Sequence, residues 1–151
     1  MNAKSAYRES AMRGATSVGL VVMLYEQAVQ DLQHALEAMK ENNVERRVRE
    51  IDHAMRVLGQ LQGTLDKEQG GEIARNLEKF YELARASMIT AQAQLSPEIL
   101  RRRIADLLEL REAWIEVDRR TSQPAEFAEP ALSRELPADL SQAVSQGSWQ
   151  G

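Results

Sequence analysis

The apolar positions of this chain fall into four long stretches, each repeating at intervals of three and four residues. From Thr16 to Met39, the residues Val21, Leu24, Tyr25, Ala28, Leu32, Ala35 and Met39 draw one stripe down a helix ending near Lys40. After Glu41-Asn42-Asn43, a second stripe runs through Val44, Val48, Ile51, Met55 and Leu58, fading around Gly63 to Leu65. The polar connection Asp66 to Gly70 leads into a third, Ile73, Leu77, Phe80, Tyr81, Ala84, Met88, Ala91 and Leu95. Ser96-Pro97-Glu98 then reads as a helix start, with a capping side chain, proline at the first position and an acid in the first turn. The fourth helix carries Leu100, Ile104, Leu107 and Trp114 and ends near Asp118. No stretch has the two-residue period of a strand. Four helices of roughly 20 residues joined by short connections pack as antiparallel neighbours, so the expected fold is all-α, an up-down four-helix bundle.

The bundle is expected over residues 16–120, with Thr16 or Ser17 capping its first helix. Beyond it the composition changes. Three of the four prolines, Pro124, Pro130 and Pro137, fall in residues 121–151 among Ser, Gln, Glu and Ala, as expected for a flexible tail. Within that tail, Leu136, Leu140, Ala143 and Val144 have the spacing of a short amphipathic helix, which needs a surface to lie on.

Composition narrows the function classes. The 151 residues are 43% apolar and 28% charged, as in ordinary globular proteins, and can bury a core of useful size. A net charge of -4 gives no general electrostatic reason to bind nucleic acid, and Arg101-Arg102-Arg103 reads as a solvated helix face. The absence of cysteine excludes disulfides and thiolate chemistry. No apolar run approaches the ~20 residues that span a bilayer and no secretory leader is visible, so the expected location is the cytoplasm, without membrane insertion.

Candidate chemistry is sparse. Glu50-x-x-His53 and Asp31-x-x-His34 echo the pairs that build di-iron sites inside bundles. At about 100° per residue, however, both histidines lie well off their helices' stripes, His34 by roughly 140°, and should face water. His53 also invites comparison with phosphotransfer bundles, which place Lys three residues and Gly four residues after the histidine. Here those positions are Arg56 and Val57, with the glycine displaced to Gly59. Gly70-Gly71 makes a turn and not a phosphate cradle. The expectation is a protein without catalysis, metal or cofactor. A histidine-phosphotransfer bundle and a generic helical adaptor are the alternatives.

Each helix also carries apolar residues outside its stripe: Met23 on the first, Val57 on the second, Leu83 and Ile89 on the third. On the fourth, a set that includes Leu108 and Ile115 covers about half the circumference, more than a bundle normally buries. Such a surplus fits shallow grooves that accept amphipathic segments of a partner, and methionines suit an adaptable surface.

Met23-Leu24-Tyr25 with Ala28, Gly70-Gly71-Glu72-Ile73 followed by Leu77 and Tyr81, and Ala113-Trp114 give a chain that resembles the flagellar secretion chaperone family, FliS, over roughly Tyr7 to Val117. The resemblance implies a bundle that binds the disordered C-terminal segment of flagellin in interhelical grooves, blocks premature polymerisation and delivers it to the flagellar type III export apparatus. It leaves open an anti-sigma factor or a co-chaperone as a further partner. It also implies an N-terminal cap over residues 1–15, in which Tyr7 and Met12 supply large apolar side chains. The client-binding expectation is therefore Tyr7, Met12, Met23, Val57, Leu83, Ile89, Leu108 and Ile115. Where the family has Thr-Ala-Ser-Pro before its first helix, this chain reads Gly14-Ala15-Thr16-Ser17.

Overall fold

The computed structural model describes residues 17–121, which form four α-helices: α1 Ser17–Lys40, α2 Val44–Gly63, α3 Gly71–Gln94 and α4 Pro97–Thr121. Among the described residues there is no strand. Helices adjacent in sequence pack side by side, and α4 returns against α1, so every neighbour runs antiparallel around an up-down bundle. One end holds the starts of α1 and α3, the ends of α2 and α4, and the α2–α3 loop. The other end holds the two tight turns.

The turns follow from a few side chains. Asn42 ends α1 in the left-handed region (φ 56), where asparagine is tolerated. The Asn43 amide donates back to the Ala38 carbonyl at 2.8 Å, while its side chain accepts from Arg46 N–H at 3.1 Å and caps α2. Leu95 and Ser96 repeat this division. Leu95 is left-handed (φ 52), Ser96 N–H donates to Ala91 O at 3.0 Å, and Ser96 Oγ accepts from Ile99 N–H at 3.3 Å. In the α2–α3 loop, Asp66 Oδ1 accepts from the amides of Glu68 and Gln69 at 3.2 and 3.0 Å. Gly70 is required by space, since a Cβ there would lie 2.6 Å from Asp66 O and 2.7 Å from Ala74 Cβ. Gly71 is required by its backbone, at φ +57.

The core is a layer of large side chains, including Leu32, Ile51, Leu58, Leu61, Leu77 and Phe80, set among alanines. Ala28, Ala35, Ala54, Ala84 and Ala91 are completely buried, and their small side chains let the helices approach. Burying each Leu, Ile or Phe contributes roughly 1.5–3 kcal/mol, which is the main source of stability.

The stripe expected for α2 is turned relative to the one observed. Ile51, Ala54, Val57, Leu58 and Leu61 face the core, whereas Val44 and Val48 are exposed. At 100° per residue the shift is roughly 75°. Val57, expected to project outward, is only 3% exposed and belongs to the core. It is not a groove residue. Outside the core, Arg111 of α4 reaches Glu26 of α1 at 2.7 Å, and Lys67 of the loop reaches Glu78 of α3 at 2.8 Å. Such part-exposed pairs add little to stability.

Candidate functional site

Tyr25, Tyr81 and Trp114 come from three different helices and meet inside the bundle. The Tyr25 and Tyr81 hydroxyls are 2.5 Å apart, and Trp114 Nε1–H donates to the Tyr25 hydroxyl at 3.0 Å. Their separations in sequence are 56 and 89 residues. Both tyrosines are buried, and burial pushes their hydroxyl pKa values well above the usual 10, so they remain neutral. Buried polar groups are kept only when paired, and this network fixes the Trp114 ring.

That ring forms part of the wall of an apolar cleft of about 260 Å³ at the loop end of the bundle. Val18, Leu20 and Val21 of α1 line one side, Leu65 and Gly70 of the loop another, and Ile73, Ala74 and Leu77 of α3 a third. Among the described residues, Asp66 is the one charged residue in the lining. The glycine pair therefore has two roles: it closes the α2–α3 loop and lets the backbone form the cleft's edge. Val18, in the first turn of α1, stands at the rim of this cleft. An open, mostly apolar cleft of this kind suits apolar side chains of a partner segment.

Of the described residues expected to bind a client, Val57 lies in the core, the others are scattered over three helices, and none lines this cleft. Ile89 and Leu108 are 59% and 41% exposed, whereas Met23, Leu83 and Ile115 are half-buried. Tyr7 and Met12 lie outside the described residues. The periodicity argument missed the cleft because it is built from helix ends and a loop, where a stripe carries little signal. The signal that does point there is the motif set: Gly70, Ile73, Leu77 and Trp114 all contribute to its walls.

The two Asp/Glu-x-x-His pairs do face each other across α1 and α2. His53 Nδ1 lies 2.5 Å from Asp31 Oδ2, and His34 Nδ1 lies 3.6 Å from Glu50 Oε1. His53 is exposed as expected, but His34 is half-buried, and Asp31 is buried, accepting also from Gln27 Nε2 at 2.9 Å. These are two separate pairs on the outside of the bundle. Among the described residues no three His, Cys, Asp or Glu side chains are gathered to hold a metal ion. Nor, among those residues, is any helix long and apolar enough to cross a membrane. The arginine run is not uniformly solvated, since Arg103 is half-buried and bonds the buried Asp106 at 2.9 Å.

The family model for the flagellar protein FliS matches residues 1–121, the last of which is the final residue of α4. A similar curated protein is the flagellar secretion chaperone FliSB of Pseudomonas aeruginosa, 29% identical over 106 residues, or 70% of this chain and 84% of that protein. The flagellar secretion chaperone FliS of Vibrio cholerae serotype O1 is 26% identical over 109 residues, or 72% of this chain and 80% of that protein.

Proposed function

The chain belongs to the flagellar protein FliS family, and from that premise we propose that it is a non-enzymatic cytoplasmic export chaperone for flagellin. The client is flagellin's C-terminal segment, which lays amphipathic helical stretches against apolar surface on the bundle. While bound it cannot polymerise, and the complex is handed to the flagellar type III export apparatus. The single observation that carries this reading is the apolar cleft at the loop end. Its walls contain Gly70, Ile73, Leu77 and Trp114, residues that also carry the family likeness.

Physical arguments support a multi-site grip. Ordering a segment that is unfolded alone costs about 2–5 kcal/mol or more, so affinity needs apolar burial in several places. Leu20 at the cleft rim, Ile89 on α3 and Leu108 on α4 are all exposed and lie on different helices, as a wrapped client requires. We further propose that residues 1–15, with Tyr7 and Met12, cover apolar surface of the bundle when no client is present.

Fluorescence anisotropy of a labelled flagellin C-terminal peptide tests the assignment. Leu20→Asp and Ile73→Asp should each weaken binding at least tenfold, as a buried charge in an apolar contact costs more than the ~1.4 kcal/mol that tenfold represents. Their helical circular dichroism should match that of the parent chain. Unchanged affinity in both folded variants would remove the cleft from the client site.

A further inference from the structure

The end of the bundle opposite the cleft carries apolar side chains that the proposed client cleft does not use. Val44 and Leu95, both 56% exposed, join Leu36, Met39 and Pro97 around a hollow of about 550 Å³ between the two tight turns. Val44 continues with Val48 and Met55 into a second hollow of about 450 Å³ along α2. Leu95 holds its left-handed turn at φ 52, a place that favours glycine or asparagine. An exposed leucine there is a poor choice for the turn and a good one for a docking surface.

The rim is cationic. Lys40, Arg47 and Arg101 line the larger hollow against one carboxylate among its described lining residues, Glu37, which Arg46 holds at 3.1 Å. Arg101 pairs with Glu98 at 3.9 Å and Arg47 donates to Gln92 at 3.4 Å, which leaves Lys40 and Arg47 without an ion pair among the described residues at the rim. The surface therefore suits an acidic amphipathic segment. Such a segment exists in this chain outside the described residues. Residues 122–151 contain four acids and one arginine, and Leu132, Leu136, Leu140 and Val144 recur every four positions. Leu136-Pro137-Ala138-Asp139 reads as a helix start with proline at the first position and an acid in the first turn.

Reach is not limiting. From Thr121 back to the level of Arg101 is about 30 Å of helix, at 1.5 Å per residue. The 14 residues from Ser122 to Glu135 can extend to roughly 46 Å. Charge then chooses between the two ends. The apolar cleft near Thr121 has Asp66 as its charged residue among the described lining, whereas the far hollow has three cations against Glu37.

We propose that the segment Leu136–Val144 of this chain docks as an acidic amphipathic helix in the hollow bounded by Val44, Leu95, Lys40 and Arg101. Leu140 and Val144 lie on the apolar floor with Leu136 at the helix start, and Asp139 faces the cationic rim. The surface is separate from the client cleft, so this inference stands apart from the flagellin reading.

The chain lacks cysteine, which allows a clean test with a nitroxide at Ser141→Cys on the full-length ¹⁵N-labelled protein. The amide signals of Val44, Val48 and Leu95 should be lost to paramagnetic broadening, while those of Val18, Leu20 and Ile73 survive. Adding Leu140→Asp or Lys40→Glu should restore them. A mixture of nitroxide-labelled unlabelled-nitrogen protein with ¹⁵N protein lacking the nitroxide should show no such loss. Broadening centred on Val18 and Leu20, uniform broadening, or loss of the Val44 signal in the mixed sample would each overturn docking of the chain's own segment at this site.

Discussion

Replacing Tyr25 with phenylalanine removes one oxygen atom and leaves two partners behind. The ring is fully buried, and phenylalanine fills almost the same space, so the cost is nearly all in hydrogen bonding. The hydroxyl is bonded to Tyr81 Oη at 2.5 Å and accepts from Trp114 Nε1–H at 3.0 Å. Tyr25→Phe therefore strands a fully buried hydroxyl and a half-buried indole N–H, each costing about 1–3 kcal/mol, the indole toward the lower end. The expected destabilisation is roughly 2–4 kcal/mol, out of a total of about 5–15 kcal/mol for a domain of this kind. Tyr81→Phe differs, because Tyr25 keeps its bond from Trp114. Its expected cost is about 1 kcal/mol. The double variant should cost less than the two single changes added together, since the stranded Tyr81 hydroxyl is gone. Urea unfolding followed by circular dichroism measures all three, with equal slopes checking that the same transition is compared. Equal costs for the two single changes, or a greater cost for Tyr81→Phe, would refute the central placement of Tyr25.

Other substitutions and conditions probe the same structure. Gly70→Ala should destabilise the bundle by about 2 kcal/mol or more in urea unfolding, because its Cβ would press on Asp66 O at 2.6 Å; the direction reverses only if the loop is not tightly closed. Alkaline pH should unfold the protein steeply. Burial raises the folded-state pKa values of Tyr25 and Tyr81 above the usual 10, so the folded state holds protons that the unfolded chain releases. Stability is therefore intact below about pH 10 and falls above it, by roughly 1 kcal/mol per pH unit for each tyrosine. Thermal melts from pH 9 to 11.5 should show this fall, and Tyr25→Phe/Tyr81→Phe should flatten it.

The helices were legible because their ends are marked. Asn42-Asn43, Gly70-Gly71 and Ser96-Pro97 each stop one helix and start the next, and the three long stripes of α1, α3 and α4 are strong. The face of α2 was less legible, since its buried set relies on Ala54 and Val57 while larger Val44 and Val48 draw a competing stripe. Alanine gives little hydrophobic signal, yet close helix approach selects it. Exposed Ile89 and Leu108 followed from counting apolar residues beyond a stripe. The cleft did not, because its walls come from two helix starts, a loop and Trp114, and only closure of the bundle brings these together. The Tyr25–Tyr81–Trp114 network was equally hidden: period reveals that residues face inward, never which partners they meet across 56 or 89 positions.

The central claim is that apolar surface left over after core formation serves a partner that is unfolded by itself. Calorimetric titration of the full-length protein with the C-terminal ~50 residues of flagellin from the same source tests it directly, at several temperatures. The account predicts saturable one-to-one binding with a large negative heat-capacity change, the mark of apolar burial. It also predicts loss of that binding in Ile89→Asp/Leu108→Asp, with the bundle still folded. No heat of binding, or binding untouched by that substitution pair and by Leu20→Asp, would contradict it.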